Sequence, residues 1–238
     1  MLTNSLGGVT CAVLSGGLGT RLRSVVADRP KVLAEVAGRP FLAHLLDQLY
    51  TAGADDVVLL TGFAADQVEA AFGSEYRGMR LRYSVEPDPL GTGGAVRHAA
   101  GLFTRDGVLL LNGDSFCAVS LDGLVATARR ENRVGLALAH VEDVSRYGAV
   151  TTGPAGAVTG FAEKGGATGP GWINAGVYSI PRPLIDDIPA GRPVPLEREV
   201  LPCWVESPGL RGVPGTRFID IGTPESFAAA DAFFASRG

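Results

Sequence analysis

A glycine-rich segment early in the chain has the composition of a phosphate-binding loop. It follows the apolar run at residues 10–14, reads SGGLGT over 15–20, and is closed by Arg21. Glycines let backbone N–H groups approach an anion closely and turn inward around it. Arg21 adds a planar, permanently charged fork that fits phosphate oxygens. These residue types predict that a phosphate group binds at the end of a buried strand.

The spacing of the glycines excludes two common phosphate loops. A dinucleotide fingerprint needs G-x-G-x-x-G, but Leu22 occupies the third glycine position, and no glycine here begins a P-loop. A second cation, Lys31, follows Pro30, whose ring fixes the local backbone. We expect Lys31 to fold back over the same anion as Arg21. The alternative is a tight turn whose glycines only allow close helix packing, and the two cations disfavour it.

Two aspartates lie at the ends of strand-like runs. Asp114 comes just after the run at 108–111, and Asp220 ends the run at 217–220. In open α/β sheets, ligands bind beyond the carboxyl ends of strands. Carboxylates there suit Mg²⁺, which takes oxygen ligands and bridges substrate phosphates. For Asp220 alone, a partner for the turn at Thr223 is the simpler interpretation, but the pairing with Asp114 favours a metal.

The pattern of apolar residues predicts the elements that position these groups. Over 10–133, strands at 11–14, 57–60, 81–85 and 108–111 alternate with helices at 41–52, 64–72, 93–102 and 121–131. This alternation predicts a Rossmann-like α/β fold with a mixed, mainly parallel sheet flanked by helices. Over 134–222, runs at 134–140, 148–152, 158–162 and 177–180 predict a small β-rich cap. The last part, 223–238, is expected to be a closing helix, with Thr223 as its N-cap.

Composition limits the class of protein. The 238 residues suit one domain, 1–238, with a substantial core. The net charge of −4 argues against a nucleic-acid partner, and three scattered cysteines indicate neither a disulfide framework nor a zinc site. No signal-peptide pattern and no long apolar run occur, so we expect a cytoplasmic protein without a membrane partner.

Six motifs resemble those of the sugar-1-phosphate nucleotidyltransferases. That family has a loop of the form L-x-G-G-x-G-T-R-L and then Pro-Lys, which correspond here to 14–22 and 30–31. The other motifs are LGTGGA at 90–95, LNGD at 111–114, FAEK at 161–164, INAG at 173–176 and FIDIGTP at 218–224. Because all six keep the family's order, the resemblance is specific. It implies the nucleotide-diphospho-sugar transferase fold, and an enzyme that joins a sugar 1-phosphate to a nucleoside triphosphate with release of pyrophosphate.

The resemblance also implies roles for individual residues. Arg21 and Lys31 become the catalytic cations, and Asp114 and Asp220 become the ligands of Mg²⁺. The implied nucleotide-binding residues are Leu14, Gly16, Gly17, Gly19, Thr20, Glu86, Gly91, Thr92, Gly93 and Asn112. The implied sugar-phosphate-binding residues are Gly148, Glu163, Lys164 and Asn174. Catalysis would consist of positioning and charge neutralisation, because the attacking phosphate is already an anion.

Glu86 and the second glycine-rich loop, at 90–95, indicate which nucleobase the nucleoside triphosphate carries. Glycines at 91–94 can lie flat against a base, and N–H groups at the start of the following helix can bind an anion. The carboxylate of Glu86 can accept two adjacent hydrogen bonds. Guanine offers N1–H and N2–H₂ side by side, whereas adenine, uracil and thymine do not, so Glu86 favours GTP. An exposed glutamate at a strand end is the alternative interpretation.

Within the family, residues 16–26, 40–42, 111–116 and 145–148 resemble the branch that uses GTP and D-glycero-α-D-manno-heptose 1-phosphate. Val32 is a departure, because Pro-Lys is usually followed by a second proline. The alternatives are a mannose 1-phosphate guanylyltransferase or a thymidylyl-, uridylyl-, adenylyl- or cytidylyltransferase for another sugar. A non-catalytic regulatory relative is disfavoured because both cations and both aspartates are present. A nicotinamide-dependent oxidoreductase is disfavoured by the missing third glycine. The resemblance also allows a homo-oligomer, because many members of the family are dimers or tetramers.

Overall fold

The computed structural model describes residues 6, 8–17, 29–104 and 106–236 of the chain. The strands within these residues are β1 (Thr10–Leu14), β2 (Glu35–Val36), β3 (Arg39–Pro40), β4 (Asp56–Thr61), β5 (Glu75–Tyr76), β6 (Met79–Val85), β7 (Val108–Asn112), β8 (Ser115–Ala118), β9 (Val134–Val141), β10 (Val150–Thr152), β11 (Ala157–Phe161), β12 (Gly171–Ile180), β13 (Leu210–Pro214) and β14 (Arg217–Asp220). The α-helices are α1 (Phe41–Thr51), α2 (Ala65–Phe72), α3 (Gly91–His98), α4 (Leu121–Glu131), α5 (Arg182–Asp186), α6 (Leu201–Glu206) and α7 (Pro224–Ala235).

Ten strands form one mixed sheet in the order β10-β11-β13-β9-β12-β7-β1-β4-β6-β5. Strands β7, β1, β4 and β6 are parallel neighbours, and β12 runs antiparallel to both β7 and β9. The chain passes outwards from β1 through β4 to β6, and then returns to β7 on the other side of β1. Ligands bind at such a reversal, beyond the carboxyl ends of the strands. Here Leu14 and Asn112 lie side by side at that point.

The predicted mixed sheet with flanking helices is confirmed. The strands expected to form a cap continue the same sheet beyond β7, so the cap shares the backbone hydrogen bonding of the main sheet. A separate ribbon pairs β8 with β14 in antiparallel register and places Asp220 opposite Ser115. This ribbon brings the end of β14 next to the loop that carries Asp114.

Side chains of the central strands alternate between two apolar clusters, one on each face of the sheet. Cys11 and Val13 pack in a cluster that includes residues of α1, α4 and α7. Ala12 packs in the other cluster, which includes residues of α3, α5 and α6. Because both faces are covered, each strand reads as a continuous apolar run, as expected for a buried parallel sheet.

The closing helix has the predicted cap. The hydroxyl of Thr223 accepts a hydrogen bond from the Ser226 N–H, and Ser226 reciprocates towards the Thr223 backbone, with Pro224 in the first turn. Among the described residues, no helix has both the length and the apolar character needed to cross a bilayer.

We expect Gly113→Ala to destabilise the protein strongly. A Cβ at this buried position would overlap the Leu14 carbonyl oxygen and lie 2.8 Å from Val32 Cγ1, so the ends of β1 and β7 would have to separate. We expect a loss of about 3 kcal/mol in the free energy of unfolding, near the upper end for overpacked cores. Urea denaturation measures this loss. Gly101→Ala, whose added Cβ has nothing within 4 Å, is the matched control, and equal stability of the two variants would contradict the expectation.

Candidate active site

Two cavities meet beyond the carboxyl ends of the central strands. The first, of about 590 Å³, is lined by the ends of β1, β4 and β7, the segment after β6 and the start of α3. The second, of about 630 Å³, lies towards β12, β11 and β14. Asn112, Asp114 and Glu197 line both cavities. The two spaces therefore share a wall, as a site that joins two substrates requires.

Lys31 and Asp114 form an ion pair at this junction. Lys31 begins a 3₁₀ turn directly after Pro30 and reaches Asp114, with Nζ 2.8 Å from Oδ2. The Lys31 side chain is only 11% exposed, whereas that of Asp114 is 47% exposed. A cation that faces both a cavity and a carboxylate can exchange that partner for a phosphate oxygen. The binding of a phosphate by Lys31 stays a prediction.

Asp220 lies close by and is held in place by several donors. Its Oδ1 accepts hydrogen bonds from the Gly222 N–H at 2.7 Å and from the Ser226 hydroxyl at 3.1 Å. Its Oδ2 accepts one from the Tyr147 hydroxyl at 2.6 Å. A Cβ built on Gly222 would lie 2.6 Å from Asp220 Oδ1 and 3.7 Å from Lys31 Nζ. Lys31 therefore lies near both carboxylates.

The described side chains supply few ligands for a metal ion at these carboxylates. Across the described residues, no three His, Cys, Asp or Glu side chains gather closely enough to hold a metal ion. Asp114 and Asp220 still fit Mg²⁺, which is commonly held by one or two carboxylates together with substrate phosphates and water. The Tyr147 hydroxyl donates to Asp220, and burial followed by this contact raises the pKa of Tyr147.

The chain contains only two lysines, Lys31 and Lys164, and each lines one of the two cavities. Many of the arginines are instead paired with carboxylates on the surface, as Arg80 is with Asp56. A lysine presents a compact charge with three rotatable donors, which suits a phosphate that moves during a reaction. Both lysines therefore lie at the cavities, whereas many of the arginines form ion pairs elsewhere on the surface.

The second glycine loop is fastened to the segment before α6. The N–H groups of Gly93 and Gly94 both donate to the Val194 carbonyl, so two of the first four amides of α3 already have a partner. The Gly91 backbone is left-handed at φ +69°, and a Cβ there would lie 2.8 Å from the Val194 oxygen. Gly91, Thr92 and neighbouring Ala95 line the first cavity. Of the amides expected to bind an anion at the start of α3, those of Gly93 and Gly94 already donate to the Val194 carbonyl.

Glu86 lies in the first cavity, in contact with two glycines. Its Oε2 accepts a hydrogen bond from the Leu90 N–H at 3.1 Å. Cβ atoms on Gly16 and Gly62 would lie 3.1 and 2.8 Å from its Oε1, so only residues without side chains leave room for this carboxylate. Burial raises the pKa of Glu86, while the Leu90 N–H opposes the rise. Glu86 is therefore a partly buried wall of the cavity and not an exposed strand end.

The four residues expected at the sugar phosphate all line the second cavity, and they are Gly148, Glu163, Lys164 and Asn174. Gly148 has φ +85°, and a Cβ there would lie 2.5 Å from the Ala162 carbonyl oxygen. Glu163 and Lys164 are exposed at the end of β11. Arg146 and Arg198 line the same cavity, so cations approach it from three segments of the chain. This cavity is suited to an anionic ligand that also carries hydroxyl groups.

Asn174 is part of a polar network beneath the junction. Its Nδ2 donates to the Tyr178 hydroxyl at 2.9 Å, and its Oδ1 accepts from the Gly176 N–H at 2.9 Å. Burial and then the negative charge of Glu197 raise the pKa of Tyr178, while hydrogen bonds from Asn174 and Asn112 oppose the rise. The buried Oδ1 of Asn112 has no hydrogen-bond partner among the described residues.

Three of the expected residues, Gly19, Thr20 and Arg21, lie outside the described residues. Leu14, Gly16, Gly17 and Asn112 all line the first cavity, as the sequence led us to expect of nucleotide-binding residues. Sequence reasoning missed Glu197 and Arg198, which lie in a π-helical turn at Leu196–Val200. No strand or helix period marks that stretch. Its one signal is a run of three charges of alternating sign, Glu197, Arg198 and Glu199, between buried Leu196 and Val200.

Comparison with known proteins identifies the family. The model of the nucleotidyl transferase family matches residues 11–237. The chain therefore belongs to the nucleotidyl transferase family.

Two relatives and one solved structure show which members of the family this chain resembles. The chain is 38% identical to the mannose-1-phosphate guanylyltransferase of Mycobacterium tuberculosis, over 94% of this chain and 64% of that protein. It is 34% identical to the D-glycero-α-D-manno-heptose 1-phosphate guanylyltransferase of Aneurinibacillus thermoaerophilus, over 92% of this chain and 95% of the other. A crystal structure of HddC from Yersinia pseudotuberculosis complexed with GMP-PN superposes with a TM-score of 0.83. The two are 30% identical, with 95% of this chain and 99% of that chain covered.

Proposed function

We propose that the chain is a guanylyltransferase that joins GTP to a sugar 1-phosphate and releases pyrophosphate. The observation that carries this proposal is the pairing of Lys31, which lines the first cavity, with Asp114, which lines both cavities, because a cation and a carboxylate placed in this way can serve two substrates. Similarity over nearly full length to a heptose 1-phosphate guanylyltransferase favours the manno-heptose as the sugar. The 38% identity to a mannose-1-phosphate enzyme makes mannose 1-phosphate the second candidate.

The nucleotide is assigned to the first cavity. Glu86 would accept the N1–H and N2–H₂ donors of guanine, and Gly91 would leave space for the planar base. Leu14, Gly16 and Gly17 line the path towards the junction, where the triphosphate would meet Lys31. The family resemblance implies that Gly19, Thr20 and Arg21, which lie outside the described residues, bind the same phosphates.

The sugar phosphate is assigned to the second cavity. The Glu163 carboxylate would accept hydrogen bonds from sugar hydroxyls, and Lys164 would neutralise the phosphate. Gly148 leaves the backbone accessible at the cavity wall. Asn174 would act mainly through Tyr178 and the turn at Gly176, because both ends of its amide already have partners.

We further propose that Asp114 and Asp220 hold Mg²⁺ together with the substrate phosphates. Bound there, the ion would neutralise charge on the phosphates and help to orient them. Asp114 has a half-exposed side chain that a metal can reach, and the donors to Asp220 would fix the direction of its remaining lone pairs. Such supporting hydrogen bonds are a common feature of metal ligands.

The proposed reaction needs no general base. A phosphate oxygen of the sugar 1-phosphate attacks the α-phosphorus of GTP and forms a new P–O bond, while the bond from the α-phosphorus to the bridging oxygen breaks and pyrophosphate leaves with that electron pair. The nucleophile is already ionised at neutral pH. Lys31 would stabilise the charge that accumulates on the α-phosphate. Catalysis then depends on alignment and charge neutralisation.

Pyrophosphate release tests the proposal. The assay would contain Mg²⁺, each of five nucleoside triphosphates, and a panel of sugar 1-phosphates that includes manno-heptose and mannose. We expect release with GTP and the manno-heptose 1-phosphate. Release with another pair would keep the reaction class and overturn the base or the sugar. Nucleotide binding with no release from any pair would instead indicate a regulatory protein.

We expect Glu86→Gln to lower kcat/KM for GTP by about 10–100-fold, the value of a hydrogen bond to a charged group. The variant places an amide donor opposite guanine donors, and ATP turnover should change less. Since Glu86 must be ionised to accept both donors, KM for GTP in the wild type should rise as pH falls through its raised pKa. Steady-state kinetics over a range of pH measures both effects.

Two further variants sharpen this test of the base site. Gly62→Ala keeps the charge but displaces the Glu86 carboxylate, so it should also weaken GTP selectivity. Glu69→Gln, an exposed residue of α2, should leave selectivity unchanged. An unaltered GTP-to-ATP ratio in both Glu86→Gln and Gly62→Ala would remove Glu86 from the base site.

A further inference from the structure

Glu197 occupies an unusual position for a carboxylate. It lies on the wall shared by both cavities, and it reaches that wall from the π-helical turn at Leu196–Val200. The other two shared residues, Asn112 and Asp114, come from the end of β7. π-helical turns are rare and frequently occur at functional sites, which makes the side chains of this turn worth testing.

One oxygen of Glu197 is fixed by Thr92. The Thr92 hydroxyl accepts a hydrogen bond from the Leu196 N–H at 2.8 Å, so its single proton is free to point at Glu197 Oε2, which also lies 2.8 Å away. The Val194 carbonyl accepts from two amides of α3 and anchors the preceding residues. The carboxylate is therefore held in one orientation between the start of α3 and the second cavity.

The other oxygen has no such partner. Among the described residues, Glu197 Oε1 has no hydrogen bond, and no lysine or arginine forms an ion pair with this carboxylate. The Oδ1 of Asn112 also lacks a donor, but it is buried and closed off from the cavities. The junction thus presents one carboxylate oxygen that no donor among the described residues satisfies.

The negative charge of Glu197 restricts which ligand groups can donate a hydrogen bond to its free oxygen. The cavities also contain Lys31, Lys164, Arg146 and Arg198, which suit phosphates, whereas a carboxylate repels a phosphate. A carboxylate instead accepts hydrogen bonds, and the uncharged donors that the two substrates bring to this region are hydroxyl groups. The ribose of the nucleotide and the ring of the sugar phosphate both carry vicinal hydroxyls.

We propose that Glu197 is a specificity-determining residue that accepts a hydrogen bond from a substrate hydroxyl at the junction of the cavities. The donor is a hydroxyl of either the ribose or the sugar ring. The proposal rests on the assignment of the two cavities to nucleotide and sugar phosphate. Substrates that lack this hydroxyl would leave a partly buried carboxylate without a donor and would be rejected.

Deoxy substrates test the proposal and identify the source of the hydroxyl. One arm compares GTP with 2′-deoxy-GTP and 3′-deoxy-GTP, and the other compares mannose 1-phosphate with its monodeoxy analogues at C2, C3, C4 and C6. We expect the wild type to disfavour one deoxy substrate by about 10–100-fold in kcat/KM. In Glu197→Ala that ratio should fall towards one, because only the hydroxyl-bearing substrate loses a contact. The nearly isosteric Glu197→Gln should give an intermediate ratio and guards against misfolding of the alanine variant.

Glu199→Gln is the matched control. It changes a glutamate of the same turn that pairs with Arg192 and lies outside both cavities, so its substrate ratios should equal those of the wild type. Collapse of a ribose ratio or of the sugar ratio supports the proposal and names the donor. Ratios that are unchanged in Glu197→Ala, or a wild type that does not discriminate, overturn it.

Calorimetry separates this proposal from the proposed reaction. Affinities for GTP and both deoxy-GTPs, and for mannose 1-phosphate and its four monodeoxy analogues, are measured on the wild type and on Glu197→Ala without turnover. A ratio that depends on Glu197 in binding supports the proposal even if no pyrophosphate is released. Equal ratios in the two proteins, for nucleotide and sugar alike, overturn it whether or not the reaction occurs.

Discussion

Lys31→Ala is expected to fold normally and to lose roughly 10²- to 10³-fold in kcat, the usual effect of removing one electrostatic donor from a developing charge. Lys31 lines the first cavity with its ammonium 2.8 Å from Asp114 on the shared wall, and in the proposed reaction it stabilises the charge on the α-phosphate. Folding should survive because the Asp114 side chain is half exposed and remains hydrated without its partner. Pyrophosphate release under saturating substrates, together with a thermal melt, measures both quantities.

A distant cation provides the control for this variant. Arg80 pairs with Asp56 on the surface and lies outside both cavities, so Arg80→Ala should retain wild-type kcat. Lys31→Arg should recover only part of the activity, because a planar fork does not reproduce a compact rotatable ammonium. Full activity in a folded Lys31→Ala protein would refute the catalytic assignment of Lys31.

The second large effect is expected for Asp114→Asn. Asp114 is proposed to bind the metal directly, and the neutral amide of asparagine is a poor substitute for its carboxylate. The loss of activity should therefore exceed the roughly 10–100-fold that is typical of groups that only support a metal ligand. Removal of divalent cations with a chelator should abolish wild-type activity, and Mg²⁺ should restore it. Electron paramagnetic resonance of Mn²⁺ measures metal affinity directly in the absence of substrates.

Metal affinity should change in opposite directions in the two variants. Asp114→Asn removes a ligand and should weaken Mn²⁺ binding, whereas Lys31→Ala frees Asp114 from its ion pair and should strengthen it. Asp106→Asn, on an exposed carboxylate paired with Arg129, should leave Mn²⁺ binding unchanged. Weaker Mn²⁺ binding in Lys31→Ala would argue against competition between ammonium and metal for Asp114.

The carboxyl edge of the sheet could be anticipated from sequence because its determinants are local. Strands β1, β4 and β7 are short apolar runs. Because they and β6 are parallel neighbours, the residues that follow them must meet at one edge of the sheet. Leu14, Glu86, Asn112 and Asp114 therefore converge as expected.

The segment around Glu197 could not be anticipated because its position depends on tertiary contacts. The turn is held by hydrogen bonds to Thr92, and Val194 just before it accepts from two amides of α3, all at least 100 positions earlier in the chain. Strand β13 was missed for a related reason. Its five residues contain both glycine and proline, and its place between β9 and β11 is set by pairing with distant strands.

The position of β13 has a consequence for how the chain is made. Strand β13 fills the gap between β9 and β11, yet the ribosome delivers it well after both of them. Until it arrives, β9 and β11 each carry an unpaired edge, the feature by which nascent or partly folded chains associate with one another. Biosynthesis therefore passes through an interval of exposure that ends only when the penultimate strand is inserted, and protection by chaperones matters most in that interval.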